Sequence, residues 1–173
     1  MPITEIYYGP MFSGKTSAIL AKVYSLEREG KKYKLFKPSI DKRFSKNEIV
    51  ARTGMSRTAF MIDIDNPEKI LEETDDVHSI IIDEAQFFNE KLIEVVKKLQ
   101  SNHKNVIIAG LVKTYKAQPF GIMPQLIQMS DIVHKLKARC SICGEEAEYT
   151  QRLATEKKDV MVGDKEIYSA RKT

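Results

Sequence analysis

Apolar positions along this chain follow two different spacings. Four short stretches, at 3–8, 33–36, 79–82 and 106–111, are rich in apolar and aromatic residues and are bounded by polar or turn residues. Stretches of this length and composition predict β-strands. The stretches at 79–82 and 106–111 are continuous rather than alternating, which is typical of strands buried on both faces of a parallel sheet.

Between these stretches, apolar residues recur every three or four positions, the spacing of a helix with one buried side. Helices are therefore predicted at 17–29, 67–73, 89–99 and 121–129, and further short strands at 61–64 and 132–136. The polar segment 39–58 predicts a long loop or a loose hairpin. Strands alternating with helices predict an α/β domain over residues 1–137, with a mostly parallel sheet and helices on both of its faces.

Composition narrows the class of protein only slightly. The chain has 173 residues, of which 42% are hydrophobic and 30% charged, as expected for one domain with a small appendage. We expect a cytoplasmic protein, because no apolar run has the length of a membrane span and the N-terminus lacks a signal-peptide pattern. The net charge of +4 is compatible with nucleotide phosphates and with nucleic acid alike.

The segment between the first strand and the first helix fits the phosphate-binding pattern G-x-x-x-x-G-K-[ST]. It consists of Gly9, Pro10, Met11, Phe12, Ser13, Gly14, Lys15 and Thr16. The glycines allow the backbone to turn its amide groups inward around an anion, and Thr16 is expected to open a helix whose positive end faces that anion. Lys15 can reach the β- and γ-phosphates, and the Thr16 hydroxyl can bind Mg²⁺.

A second nucleotide motif follows the third predicted strand. Asp83 and Glu84 come directly after Ile81 and Ile82, so both carboxylates are expected at the carboxyl end of a buried strand, where open α/β sheets bind ligands. Asp83 is placed to hold Mg²⁺, and Glu84 to polarise an attacking hydroxyl or water. Together the two motifs predict a nucleoside triphosphate site with Mg²⁺. The residues alone leave an ATPase and a kinase as alternatives.

Further segments in the same order along the chain carry a resemblance to a known family. They lie at 36–38, 41–43, 82–88, 110–111, 114–115, 119–121, 140–143, 147–153 and 163–168. With the 9–16 segment, this series resembles the cytosolic, zinc-ribbon class of thymidine kinase. The resemblance implies a P-loop kinase domain at 1–137 followed by a small lasso subdomain, similar to a zinc ribbon, at 138–173.

The resemblance also implies an activity and its partners. The family transfers the γ-phosphoryl group of ATP to the 5′-hydroxyl of thymidine with Mg²⁺, giving dTMP for DNA precursor synthesis. It further implies feedback inhibition by dTTP, assembly as a homotetramer, and no membrane or nucleic-acid partner.

The resemblance assigns roles to individual positions. Glu84 matches the general base, Arg43 an arginine over the phosphates, and Lys15 the P-loop lysine. ATP and Mg²⁺ are expected on the 9–16 segment and on Asp83, Glu84, Ala85 and Gln86. The thymidine site is expected to comprise Met11, Phe87, Leu111, Tyr115 and Phe120, together with the lasso residues Thr150, Val160, Met161, Val162, Gly163 and Tyr168.

Three positions depart from the family pattern. A zinc ribbon needs two cysteine pairs, whereas only Cys140 and Cys143 are present, and two ligands cannot hold structural zinc. The pair is then either a reduced turn or a partial zinc site completed by a group such as His134 or by a neighbouring subunit. Val112 stands where the family has Asp, and Asp164 where it has a second lasso glycine.

Two functions of other classes remain as alternatives at this stage. One is a P-loop ATPase acting on nucleic acid, although no platform of aromatic and basic residues for stacking bases is visible in the sequence. The other is a catalytically weak nucleotide-binding regulator, suggested by Val112 and the reduced tail. ATP turnover stimulated by single-stranded DNA would favour the first, and nucleoside binding without phosphorylation the second.

Overall fold

The computed structural model describes residues 1–40, 47–140, 142–152 and 168–171. The strands are β1 Thr4–Tyr8, β2 Tyr33–Pro38, β3 Glu48–Val50, β4 Ser56–Thr58, β5 Phe60–Ile62, β6 Ser79–Ile82, β7 Asn105–Gly110, β8 Ile132–Lys135, β9 Ala138–Arg139, β10 Glu146–Ala147, β11 Tyr149–Arg152 and β12 Tyr168–Arg171. The helices are α1 Lys15–Arg28, α2 Lys91–Ser101 and α3 Met123–Gln128, with 3-10 helices at Pro67–Glu73 and Ala85–Phe87.

Six strands form a central sheet in the order β5-β2-β6-β7-β1-β8. Every pairing described within this sheet is parallel, so the carboxyl ends of its strands lie along one edge. The two nucleotide motifs follow β1 and β6, which are separated only by β7. The predicted α/β class with a parallel sheet is therefore confirmed.

The sheet is covered on both faces, as predicted. Ile80 and Ile82 point into a cluster shared with α2 and α3, whereas Ile81, between them, packs with α1 and with the hairpin of β3 and β4. All three isoleucines are fully buried. This two-sided burial is the reason that β6 reads as a continuous apolar run.

The element boundaries differ from the sequence prediction in two informative places. Helix α1 begins at Lys15, before the predicted Thr16, because Gly14 adopts a left-handed backbone with φ of 86° and serves as its N-cap. The segment after Pro67 is a 3-10 helix rather than an α-helix. The loose hairpin considered for 39–58 is present as β3 and β4, which pair antiparallel.

Among the described residues after 137, two small antiparallel strand pairs lie outside the main sheet. Strand β9 pairs with β10, and β11 pairs with β12 so that Arg152 lies opposite Tyr168. No helix in the described part of the chain is long and apolar enough to cross a membrane.

Candidate active site

The loop between β1 and α1 has the backbone of an anion-binding turn. Phe12 and Gly14 have positive φ values of 64° and 86°, which bends the chain back on itself. A Cβ atom on Gly9 would lie 2.4 Å from the carbonyl oxygen of Leu136, so only glycine fits there. Gly14 has no side chain to cap the first turn of α1. The amide groups of this turn can therefore donate to an anion that binds at the helix N-terminus.

Lys15 lies inside this loop. Its side chain is buried, and its Nζ donates hydrogen bonds to the carbonyl oxygens of Gly9 at 3.1 Å and Pro10 at 2.6 Å and to Ser13 Oγ at 3.2 Å. Neutral oxygen acceptors thus hold a buried ammonium close to the nest of amides. A phosphate entering the nest would replace these partners with a charged one, which makes a stronger hydrogen bond.

Asp83 and Glu84 lie at the carboxyl end of β6, on the same edge of the sheet as the loop. Asp83 is buried; its amide donates to the carbonyl oxygen of Phe36, and its Oδ1 accepts from the amide of Glu84 at 2.9 Å. Glu84 is half-buried and has left-handed backbone angles, φ 51° and ψ 42°, which non-glycine residues seldom adopt. This conformation turns the chain sharply between the two carboxylates.

Gln86 connects this turn to the next strand. Its side chain is completely buried, with Nε2 donating to Glu84 Oε2 and Oε1 accepting from the amide of Leu111 at 3.1 Å. The sequence analysis placed Gln86 only among residues of the nucleotide site. This link between Glu84 and Leu111 through the Gln86 side chain is called the Gln86 bridge. It could not be predicted from the sequence, because it depends on the end of β7 lying beside the turn after β6.

The residues proposed to line a nucleoside pocket do come together. Leu111 and Phe120 are buried, and Met11, Phe87 and Tyr115 pack against them in one apolar cluster, which we call the pocket cluster. The rings of Phe87 and Phe120 meet edge to face with centroids 5.6 Å apart. Since Met11 belongs to the phosphate-binding loop, the pocket cluster adjoins that loop directly.

The first strand of the tail also reaches the phosphate-binding loop. Thr150, in β11, is buried, and its Oγ1 accepts a hydrogen bond of 2.9 Å from the amide of Met11. The sequence analysis predicted that Thr150 contributes to the thymidine site. The structure places its hydroxyl against the loop backbone.

Arg52 is a further site neighbour that the sequence analysis did not single out. Its guanidinium lies over the ring of Phe12, with Cζ 3.4 Å from the ring centroid. A stacked guanidinium keeps its in-plane N–H groups for other partners. No local signal identifies this contact, because it arises from the packing of the β3–β4 hairpin onto the loop after β1.

Comparison with known proteins decides the family. A sequence model described as thymidine kinase matches residues 3–172. A thymidine kinase of Mycoplasma genitalium is 42% identical over 173 residues, spanning 97% of this chain and 80% of the relative. Thymidine kinases of Coprothermobacter proteolyticus and Mesomycoplasma hyopneumoniae are 38% and 34% identical, with 86% and 92% of their lengths covered. The chain belongs to the thymidine kinase family. The predicted resemblance is thus confirmed.

Several positions expected from the thymidine kinase pattern lie outside the described residues. These are Arg43 and the lasso residues Val160, Met161, Val162 and Gly163, together with Asp164. Tyr168 is described only as part of β12, opposite Arg152. The roles predicted for these residues therefore stay predictions.

Val112, for which the resemblance predicted an aspartate, has an apolar environment in the structure. Its side chain packs against the core cluster beneath α2 and α3, and its carbonyl oxygen accepts a hydrogen bond of 2.9 Å from the amide of Phe120. Valine therefore adds apolar contact at this position and leaves the backbone link to Phe120 intact.

The residues at the cysteine pair do not fit a structural zinc site. Cys140 is buried, Cys143 is exposed, and neither forms a disulfide. Within the described ranges, no three His, Cys, Asp or Glu residues are grouped closely enough to hold a metal. A structural zinc ion at this pair would need further ligands beyond the two cysteines.

His134, considered as an extra zinc ligand, has other partners. Its ring stacks on Tyr7 with centroids 4.2 Å apart, and its Nε2 lies 3.2 Å from Glu5 Oε2. Burial and the neighbouring Glu5 carboxylate raise the pKa of Tyr7 to about 12. Burial acts to raise the pKa of Glu5 as well, but Lys22 and the hydrogen bonds from His134 and Tyr7 outweigh it and lower that pKa.

Proposed function

We propose that this protein transfers the γ-phosphoryl group of ATP to the 5′-hydroxyl of thymidine, giving dTMP and ADP. One observation carries the proposal most strongly. Met11 belongs both to the phosphate-binding loop and to the pocket cluster, so a nucleoside held there would lie next to the phosphates of ATP. Family membership supports thymidine as that nucleoside.

Each site residue then has a defined task. Lys15 and the first-turn amides of α1 bind the phosphates, and Arg43 is proposed to contact them as well. The Thr16 hydroxyl and Asp83 carboxylate are oxygen ligands of the kind Mg²⁺ prefers, so they would hold the ion. When bound, Mg²⁺ neutralises charge on the β- and γ-phosphates.

Glu84 is the proposed base. It accepts the proton of the thymidine 5′-hydroxyl as that oxygen bonds to the γ-phosphorus and the bond to the bridging oxygen of ADP breaks. Because the transition state of phosphoryl transfer is loose, the nucleophile needs orientation more than a strong base.

The pocket cluster supplies flat apolar walls suited to a pyrimidine ring. We further propose that Val160, Met161, Val162, Gly163 and Tyr168 close over the base, with main-chain groups reading its carbonyls and ring N–H. Residues 138–173 would then act as one lasso subdomain beside the kinase domain 1–137. We expect inhibition by dTTP, because this nucleotide carries both a thymine base and a triphosphate, the two groups that the site binds.

Assembly as a homotetramer and a cytoplasmic location complete the proposal. Zinc enters it only if ligands from a neighbouring subunit complete the pair Cys140 and Cys143. Metal analysis of the purified, unchelated protein tests this point, because a zinc ion shared by the cysteine pairs of two subunits would appear at one ion per two chains.

A nucleoside panel tests the activity itself. Transfer of radiolabelled phosphate from ATP should be fastest to thymidine, slower to deoxyuridine, which lacks the base methyl group, and undetectable to deoxycytidine. The same assay with single-stranded DNA should show no stimulated ATP turnover. Turnover dependent on DNA and indifferent to thymidine would overturn the proposal and favour a nucleic-acid ATPase. Tight thymidine binding without phosphorylation would instead favour a regulator.

Replacing Thr150 tests its contact with the loop. Thr150→Val keeps the shape of the side chain but removes the hydroxyl that accepts from the Met11 amide, and losing such a part-buried hydrogen bond costs about 0.5–1.5 kcal/mol. Because the contact lies on the loop, we expect KM to rise for both ATP and thymidine, each measured by steady-state kinetics. Thr150→Ser is the matched control and should behave as the wild type. A rise confined to thymidine would assign Thr150 to the nucleoside site alone.

A further inference from the structure

Gln86 occupies an unusual position between the proposed base and the nucleoside pocket. Its buried amide group is used at both ends, toward the Glu84 carboxylate and toward the backbone of Leu111 in the pocket cluster. We propose that Gln86 is a positioning residue for phosphoryl transfer. It fixes the Glu84 carboxylate and ties its orientation to the wall of the nucleoside pocket. This inference rests on the proposed function, in which Glu84 is the base.

The chemistry of the bridge requires an amide. Glu84 Oε2 needs a donor and the Leu111 amide needs an acceptor, and a glutamine side chain offers one of each at its two ends. A buried polar group with both ends satisfied has one favoured orientation, because any rotation leaves a donor or acceptor without a partner at a cost of about 1–3 kcal/mol. The bridge is therefore rigid rather than incidental.

Two glycines approach Gln86 closely, Gly110 at its side chain and Gly121 at its main chain. A Cβ atom on Gly110 would lie 2.6 Å from the side-chain oxygen Oε1 of Gln86. A Cβ atom on Gly121 would lie 2.9 Å from the main-chain carbonyl oxygen of Gln86. Both glycines adjoin pocket-cluster residues, Gly110 before Leu111 and Gly121 after Phe120. A side chain at position 110 would therefore push the Gln86 amide away from its two partners, and one at position 121 would meet the Gln86 main chain.

The backbone of Glu84 supplies the reason for a positioning residue. Its left-handed angles are disfavoured for glutamate, so the turn is held by contacts with its surroundings. The bond from its own amide to Asp83 Oδ1 fixes the main chain, and the bond from Gln86 fixes the carboxylate end. With both ends held, the base keeps one direction relative to the pocket.

Gln86→Met is the principal test, since methionine has a similar length and offers no donor of this kind. We expect kcat for thymidine to fall roughly 10²-fold, the effect of misplacing a reacting group by about 1 Å, while KM for ATP stays unchanged.

Gln100→Met is the matched control. Gln100 Nε2 also bridges two elements, donating to Thr4 Oγ1 at 2.9 Å and to the Met129 carbonyl oxygen at 3.2 Å, but away from the site. The Gln100→Met variant should have a lower unfolding temperature than the wild type and an unchanged kcat.

A double-variant cycle separates positioning from a structural role. If Gln86 acts through Glu84, then adding Gln86→Met to Glu84→Gln should cause no further loss of kcat. If the loss of kcat in the double variant equalled the product of the losses in the two single variants, the inference would be overturned. A normal kcat in Gln86→Met would also overturn it. Gln86→Asn serves if the methionine variant does not fold, because its amide is one methylene too short to reach both partners. A wild-type enzyme inactive on thymidine would instead refute the proposed function.

Discussion

Lys15→Ala should reduce kcat/KM for ATP by roughly 10³-fold or more, the scale seen when a cation is removed from a transferring phosphoryl group. The position of Lys15 in the structure explains the size of this effect. Lys15 Nζ is buried among the Gly9 and Pro10 carbonyl oxygens and Ser13 Oγ, at the base of the turn that presents its amides to phosphate. Alanine leaves those oxygens facing the phosphates without the cation between them.

Lys22→Ala provides the control for this prediction. Lys22 lies on the same helix and loses the same charge, but its Nζ pairs with Glu5 Oε1 at 3.0 Å on a partly exposed face. Calorimetric titration with a non-hydrolysable ATP analogue should show normal affinity for Lys22→Ala and little or none for Lys15→Ala. Equal affinities in the two variants would refute the assignment of 9–16 as the phosphate site.

Much of the fold could be predicted from the sequence because burial on two faces leaves a clear signal. The run before Asp83 is apolar at consecutive positions, and both α1 and α2 show helical spacing, so strand and helix types were correct. Boundaries were less certain near the loop, since the helix start depends on the backbone of Gly14. The 3-10 geometry after Pro67 has no distinct spacing over seven residues.

The features of the candidate site fall into two groups, those formed by neighbouring residues in the sequence and those formed by contacts between distant ones. The two motifs could be found in the sequence because a phosphate nest and a strand-end carboxylate use contiguous residues. The contacts made by Gln86, by Arg52 and by the Thr150 hydroxyl could not, because each involves a partner 25 to 139 positions away. Such contacts exist only after β7, the β3–β4 hairpin and β11 have been placed around the loop.

Glu84→Gln is expected to separate chemistry from binding. The amide oxygen of glutamine can still accept the hydrogen bond from Gln86, and glutamine tolerates the left-handed backbone no worse than glutamate does. The turn, the pocket and the phosphate site should therefore keep their geometry. What is lost is the capacity to take the proton of the 5′-hydroxyl, so kcat should fall by roughly 10²–10⁴-fold with KM for thymidine and ATP nearly unchanged.

Single-turnover measurement of dTMP formation is the decisive readout, because it excludes product release as the slow step. Glu84→Asp is the companion variant. It keeps a carboxylate but withdraws it by one methylene, which weakens its contacts with Gln86 Nε2 and with the hydroxyl without removing the base, so it should retain more activity than Glu84→Gln and less than the wild type. A Glu84→Gln enzyme that forms dTMP at the normal rate would remove Glu84 from the mechanism. It would leave Asp83 and the phosphate-binding loop as the groups that orient the nucleophile.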